Sequence, residues 1–423
     1  MAEFLRVKTV REVLEIIQGF EALEAERVPL SHSYGRVMAM PLDSPEPIPH
    51  FPRATMDGYA VRSRDTFGAS EALPALLEVS GEVFMGEAAP HSLQGGKAMV
   101  IPTGGMMPEG ADAVVMVEYT HVLDEKTVEI TRPVAPGENV IGVGDDIAAG
   151  ERLFPEGWIL RPQDVACLAA VGCEKVPVVA RPKVAVISTG DEIVSVGDGQ
   201  LPLGKVRDMN TYSLRGIVNA AGGIVGTVMV LEDDLERMVH ECRNLFVNHD
   251  VILLSGGSSV GARDYTLKIL DHFAEAELLV SGVAIRPGKP TILARVGKGF
   301  FWGLPGHPFS AMMVCHLLVA PMLDVLQGKQ ARHRPLGGTS TVKAILDRQL
   351  PSVHGRTDCI PVRLRKSNDG YMAEPVFGRS AMISVLVKAE GYVIISEHDE
   401  GLDRGVSVDV HLFSATWPVH GKP

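Results

Sequence analysis

The apolar positions along this chain change period several times, and each change marks a different kind of element. In "MAEFLRVKTVREVLEIIQGF" they recur at helical spacing with acids among them, which predicts an amphipathic first helix over residues 9–25. "PLDSPEPIPHFP" then places five prolines in twelve residues, which forbids helix and predicts an extended connector. From residue 57 to about 145 short β-rich runs follow, "LLEVSGEVF", "KAMVIPTG", "ADAVVMVEYTHV" and "TVEITRPV", divided by glycine and proline turns. "RPQDVACLAAVG" restores the helical period with Pro162 near its start. It is expected to pack on the first helix, making the β-rich module an insertion in a helical one.

Residues 181–326 alternate differently: "KVAVIS" and "DVILLS" are continuous β-branched runs of the kind buried on both faces of a sheet. The helical segments "TYSLRGIVNAAG" and "DLERMVHECRNLF" separate them, which predicts right-handed crossovers, a parallel sheet and a doubly wound α/β domain. Beyond "GKQARHRPLGG" the pattern returns to short strands, "IPVRLRKS", "YMAEPV", "GYVIIS" and "SVDVHLF", with no long helix, and predicts a C-terminal β-barrel or sandwich. The expected division is a helical and linker domain at 1–53 and 146–180, an inserted β-rich domain at 54–145, an α/β domain at 181–328 and the barrel at 329–423.

Composition narrows the classes. A chain of 423 residues exceeds one ordinary core and predicts two to four domains. Hydrophobic residues at 46% and charged residues at 22% are a globular balance, and 44 glycines with 28 prolines predict many turns. The most apolar stretch, "FSAMMVCHLLVAPMLDVL", is expected to be broken by His316 and Pro321 and so not to span a membrane. With no signal peptide at the N-terminus, a cytoplasmic address is expected. Five cysteines, Cys167, Cys173, Cys242, Cys315 and Cys359, never reach C-x-x-C spacing, and most of them read as reduced core residues. A net charge of −12 argues against a nucleic-acid binder but permits a local basic pocket for a small anion.

Candidate chemistry gathers at strand ends, where an open parallel sheet places its ligands. "AVISTGDEIV" ends a buried strand in Ser188, Thr189 and Gly190 followed by Asp191 and Glu192, two acids suited to a metal or to catalysis. In "ILLSGGSSVGARDYTLKIL", Ser255, Gly256, Gly257, Ser258 and Gly261 lead into a helix, and their backbone N–H groups suit a phosphate. Neither loop is a G-x-G-x-x-G or Walker A pattern, which disfavours NAD and P-loop readings. Asp264 reads as an N-cap, as a site residue, or as both. In "SGVAIRPGKPTILA", Arg286 and Lys289 frame a Pro-Gly turn and can neutralise anions. "FWGLPGHPFSAMM" holds Pro305, His307 and Pro308 in a rigid strand-to-helix turn, and no partner at ligand spacing accompanies His307. In "FPRATMDGYAVRSRDT" the Asp57-Gly58 pair reads by default as a hairpin turn, and Thr103-Gly104-Gly105 in "IPTGGMMPEGADAVV" as another.

Seven segments occur in order: "ATMDGYAVRSRD", "IPTGGMMPEGADAVVMVE", "GWILRPQDVACLAAVG", "AVISTGDEIV", "ILLSGGSSVGARD", "AIRPGKP" and "LPGHPFSA". Together the chain resembles the molybdopterin molybdenumtransferase family, which includes the gephyrin E domain, and the likeness continues through "GRTDCIPVRL" and "FGRSAMISVLVKAEGYVII". The resemblance implies a four-domain elongated homodimer that inserts molybdate into the dithiolene of adenylylated molybdopterin and releases AMP with a divalent ion such as Mg2+. The adenylylating enzyme and apo-molybdoenzymes are then possible partners. It carries site roles onto Asp57, Thr103, Asp146, Asp191, Glu192, Asp233, Asp264, Lys289, Pro305, Pro308 and Ser380, with Asp57 facing the α/β domain across an interdomain or intersubunit cleft. Asp57, Asp146, Glu192, Asp233 and Asp264 are the expected metal group. Arg286 stands where the family commonly has lysine, His307 where asparagine is common, and Ser258 where valine is common. Ile141-Gly142-Val143 replaces arginines that usually follow "ENV". The alternatives are a tungstate-inserting homologue, a non-catalytic gephyrin-like scaffold and a generic nucleotide-binding module.

Overall fold

Thr9 and Glu12 cap each other. The Glu12 N–H donates to Thr9 Oγ1 at 3.1 Å and the Thr9 N–H to Glu12 Oε2 at 2.7 Å, and this reciprocal pair starts helix α1 (Val10–Gln18). Its buried stripe, Val10, Val13 and Ile17, belongs to the core of the α/β sheet, where α1 meets the helical segment 320–326. That corrects two expectations. The helix is shorter than 9–25, and its apolar face belongs to the α/β core, whereas helix α2 (Pro162–Ala170) buries Leu168 in another core with Met38, Phe154, Leu160 and Val178. Periodicity shows that a helix has an apolar face; it does not say which core receives it.

The computed structural model describes residues 7–197, 199–256, 261–329, 340–368, 370–379 and 381–414, with 261–264 described as backbone only. The chain forms two compact units. Arg27–Val178 is one, and the segments on either side of it form the other. A two-stranded ribbon, Ala25–Pro29 against Lys175–Val179, holds the two ends of the inner unit together.

Within Arg27–Val178 the strands are β1 (Gly58–Val61), β2 (Ala75–Glu82), β3 (Lys97–Ile101), β4 (Ala113–Met116), β5 (Thr120–Asp124) and β6 (Thr127–Ile130). They form a six-stranded sheet in the order β4-β1-β3-β2-β6-β5, antiparallel except between β2 and β3. Alternate residues enter opposite cores, because successive strand side chains point to opposite faces: Tyr59 and Val61 on one side, Ala60 with Met99 and Val114 on the other.

In the other unit β7 (Lys183–Thr189), β8 (Ile224–Leu231), β9 (Val251–Gly256), β10 (Ala276–Ser281), β11 (Ile292–Val296) and β12 (Gly299–Leu304) form a sheet ordered β8-β7-β9-β12-β11-β10. The first four in that order are parallel, as expected; β11 and β10 add an antiparallel edge. Helices α3 (Asn210–Ala220), α4 (Leu235–Phe246) and α5 (Gly261–Leu270) are the crossovers. Val184 and Val186 face a core shared with α1 and α3, whereas Ala185 and Ile187 face the core of α4 and α5.

Helix α6 (Pro308–Leu326) is the apolar stretch expected to break at His316 and Pro321, and it does not break. Pro321 has no N–H to donate, and just ahead of it Cys315–Val319 winds as a π-helix, which absorbs the defect without ending the helix. The helix is mostly buried within the protein, as a core helix is. Beyond it β13 (Thr341–Leu346), β14 (Thr357–Ser367), β15 (Gly370–Pro375), β16 (Gly391–Ile395) and β17 (Ser407–Leu412) run in the order β14-β15-β13-β17-β16, and β14 pairs again with β16 to close the barrel. Ile285–Arg286 pairs in parallel with the start of β14, which brings the Pro-Gly turn after β10 onto the barrel.

Candidate functional site

Strand β7 lies between β8 and β9, so strand order reverses beside it, and the carboxyl ends of β7 and β9 are where a sheet of this kind takes its ligands. Thr189 pairs with Gly256 there, and a Cβ on Gly256 would sit inside the Thr189 carbonyl, so only glycine lets the two ends close. Thr189 Oγ1 donates to Asp233 Oδ1 at 2.7 Å. The Asp233 N–H donates to Asp191 Oδ1 at 3.2 Å, and Tyr265 OH on α5 donates to the Asp233 carbonyl at 2.6 Å. Burial, with Asp233, Asp234 and Asp191 nearby, pushes the Tyr265 phenol up, which keeps it a donor. The Glu192 carboxylate folds over Gly190, whose φ of +151° and missing Cβ make room for it.

Asp191 and Glu192 follow the end of β7, and the Asp233 backbone is tied to Asp191 there. Their oxygens are the hard donors a divalent cation of the Mg2+ type takes. Among the described residues no group of three or more His, Cys, Asp or Glu side chains is arranged so that it could hold a metal ion. Gly257, Ser258, Ser380 and the side chain of Asp264 lie outside the described residues. Asp264 is the fourth residue of α5, so the helix starts ahead of it and Asp264 is not the N-cap.

On the opposite face of the same strand ends, Asn210 Nδ2 donates to Ser255 Oγ and to the Gly306 carbonyl, both at 2.8 Å, and Ser255 Oγ donates to the Pro305 carbonyl at 3.1 Å. Pro308 is the first residue of α6. The expected Ser255 and Pro305 are thus joined directly, and Asn210, which sequence reasoning did not select, ties Ser255 to Gly306 as well.

A cavity of about 1120 Å³ lies between the turn after β10 and the barrel, and Arg286, Lys289, His307, Arg356 and Arg379 line it. Asp358, with no exposure, accepts from Arg356 at 2.7 and 3.2 Å and lies 3.9 Å from Arg286. One buried carboxylate thus orients two guanidinium groups, and Lys289 and Arg379 add further positive charge to the lining. Sequence reasoning found Arg286 and Lys289 but gave no role to Arg356, Asp358 or Arg379, although "GRTD" and "FGRS" put charge beside glycine turns.

In Arg27–Val178 the Asp57-Gly58 pair is not a hairpin turn. Gly58 opens β1 between β3 and β4, where a Cβ would collide with the Val115 carbonyl. Asp57 is exposed just ahead of the strand and accepts the Thr103 N–H at 2.7 Å. That bond, then the Thr103 hydroxyl, holds the Asp57 carboxyl below its usual range. Thr103-Gly104-Gly105 is a turn as expected, with Gly104 at φ +84°. Asp146 is also exposed; its N–H donates to the Ile48 carbonyl at 3.1 Å.

Three family models match in order: MoeA N-terminal region (domain I and II) over residues 8–172, probable molybdopterin binding domain over 185–325, and MoeA C-terminal region (domain IV) over 343–413. A molybdopterin molybdenumtransferase of Staphylococcus epidermidis is 30% identical over 406 residues, covering 96% of this chain and 95% of that one. The chain belongs to the molybdopterin molybdenumtransferase family. It is thereby a transferase of molybdenum cofactor biosynthesis. Two crystal structures of molybdopterin biosynthesis MoeA protein from Pyrococcus horikoshii superpose with TM-scores of 0.82 and 0.75 at 37% and 33% identity, covering 97% and 96% of this chain and 100% of theirs.

Proposed function

We propose that this family member inserts molybdate into the dithiolene of adenylylated molybdopterin and releases AMP in a Mg2+-dependent step, acting as a homodimer in the cytoplasm. The observation that carries the proposal is the cavity lined by Arg286, Lys289, Arg356 and Arg379 in a protein whose net charge is −12. An incoming oxyanion and a phosphorylated pterin repel: two unit charges ~4 Å apart cost about 4 kcal/mol at an effective dielectric near 20. Fixed cations on the cavity wall offset that repulsion for molybdate. Arg356 and Arg286 are held by Asp358, so their orientation is set before the anion arrives.

At the strand ends, Asp191, Glu192 and Asp233 would hold Mg2+, with Asp264 as a further ligand. When bound, Mg2+ supplies a hard Lewis acid that neutralises phosphate charge. Thr189 and Tyr265 fix the Asp233 segment by hydrogen bonds to its carboxylate and carbonyl. The amides of Ser255, Gly256, Gly257, Ser258 and Gly261 are assigned to a phosphate of the AMP half, and Lys289, Pro305, Pro308 and Ser380 to the substrate side of the crevice. Asp57 and Asp146 are assigned to metal and water positioning, with Thr103 holding Asp57 ionised. The division at 1–53 with 146–180, 54–145, 181–328 and 329–423 is proposed as the domain plan.

The test is AMP release from adenylylated molybdopterin with Mg2+, followed against molybdate and, separately, tungstate. The wild type should release AMP in proportion to oxyanion, and the two arms identify the preferred metal. Lys289→Ala should raise the KM for molybdate by about tenfold or more, the scale set by losing a charged contact. Asp57→Asn and Asp264→Asn should fold and turn over much more slowly. AMP release that ignores the oxyanion, or wild-type rates in both Asn variants, sinks the reading.

A further inference from the structure

This inference rests on the reading above, that the crevice at the ends of β7 and β9 takes the pterin substrate. Asn210 opens α3 and is 5% exposed. Its neighbours fix which way its amide faces. A carbonyl oxygen can only accept, so Gly306 O must meet Nδ2. Ser255 gives its single hydroxyl proton to the Pro305 carbonyl and therefore also accepts from Nδ2. Both amide protons are engaged. Asn210 Oδ1 is left buried and, among the described residues, without a hydrogen-bond partner.

Ser188 repeats the situation. Its hydroxyl is buried, at 1% exposure, and has no partner among the described residues. Ser188 pairs in register with Ser255 on the neighbouring parallel strand, so both side chains leave the sheet on the α3 side. Buried polar atoms are nearly always paired, and two orphans on one face of adjacent strand ends mark a place where a ligand completes the pairing.

The chemistry of that ligand follows from what is already there. An orphaned carbonyl oxygen needs a donor. Asp208, 5% exposed, closes the start of α3 by accepting from the Thr211 N–H at 3.3 Å and from the Thr211 hydroxyl. A carboxylate at that helix end disfavours a second anion and leaves a neutral heterocycle with an N–H edge as the matching occupant.

We propose that Asn210 is a binding residue for the pterin ring. Its Nδ2 ties the Ser255 strand end to the Pro305-Gly306 turn, its Oδ1 accepts a ring or amino N–H of the pterin, and the Ser188 hydroxyl makes a second contact. The adenine amino group of AMP offers the same donor chemistry, so the test separates the two sources.

Full-length protein is titrated with molybdopterin and, separately, with AMP by calorimetry. Asn210→Ala should weaken molybdopterin at least ~10-fold more than Ser255→Ala, which removes a tie but leaves Oδ1, and should leave AMP within ~2-fold; leaving a buried acceptor unpaired has an effect of this order. In turnover, the loss should fall mainly on the KM for the pterin substrate. Equal losses in the two variants would make Asn210 a structural tie alone and overturn the proposal, as would loss confined to AMP or no loss at all. Ser188→Ala breaks no tie, so a molybdopterin loss of at least ~3-fold at unchanged melting temperature supports the proposal, and its absence overturns it even where Asn210→Ala does not fold. A wild type that binds neither ligand would count against the proposed function instead.

Discussion

Asp164 shows how much one carboxylate can organise. It accepts from the Arg161 guanidinium at 2.9 Å twice, from the Arg161 N–H at 2.8 Å and from Trp158 Nε1 at 2.9 Å, so it starts α2 and fixes a Trp and an Arg together. Arg161 is the main reason its pKa is lowered from 3.8 to about 2. A depressed folded-state pKa stabilises the fold above the unfolded value, and that contribution disappears as pH falls through about 2. Asp164→Asn is therefore expected to cost about 1–3 kcal/mol at neutral pH, with the difference from wild type shrinking between pH 4 and 2, read by denaturant titration. At this scale the sequence was legible only where polarity interrupts a pattern. Asp191 and Glu192 stand out because they end a run of buried β-branched residues. Asn210 and Asp358 do not, since Asn210 looks like any helix start and Asp358 sits inside an ordinary strand, where total burial is invisible before the barrel closes.

The elements were legible to the extent that periodicity decides them. β7, β9, α3 and α4 fall where "KVAVIS", "DVILLS" and the two amphipathic segments put them, because strands buried on both faces and half-buried helices leave different apolar periods. Gly58 misled because Asp-Gly is a turn signal, whereas here glycine is needed for the close approach of β4 to β1. Gly58→Ala is expected to destabilise by at least about 3 kcal/mol, seen as a lowered denaturation midpoint, since the added methyl meets backbone that cannot step aside. The destination of α1 was not readable, because an amphipathic face fits any apolar groove and the chain between it and its partner helix is hundreds of residues long.

On the scale of the whole molecule, both ends of Arg27–Val178 leave through one two-stranded ribbon, and the unit has three cores of its own, around Tyr59, Met99 and Leu168. Residues 27–178 expressed alone should melt cooperatively in calorimetry; a broad, non-cooperative trace would show that they depend on the rest of the chain. The cation-lined cavity has a different consequence. Guanidinium and ammonium groups register charge and tetrahedral shape, and sulfate offers the same dianionic charge as molybdate in a smaller tetrahedron. If the cavity receives molybdate as proposed, sulfate should act as a competitive inhibitor that raises the apparent KM for molybdate and leaves kcat unchanged. A cell rich in sulfate and poor in molybdate would then have to secure fidelity upstream, at uptake, or downstream, in the affinity of two sulfurs for the metal.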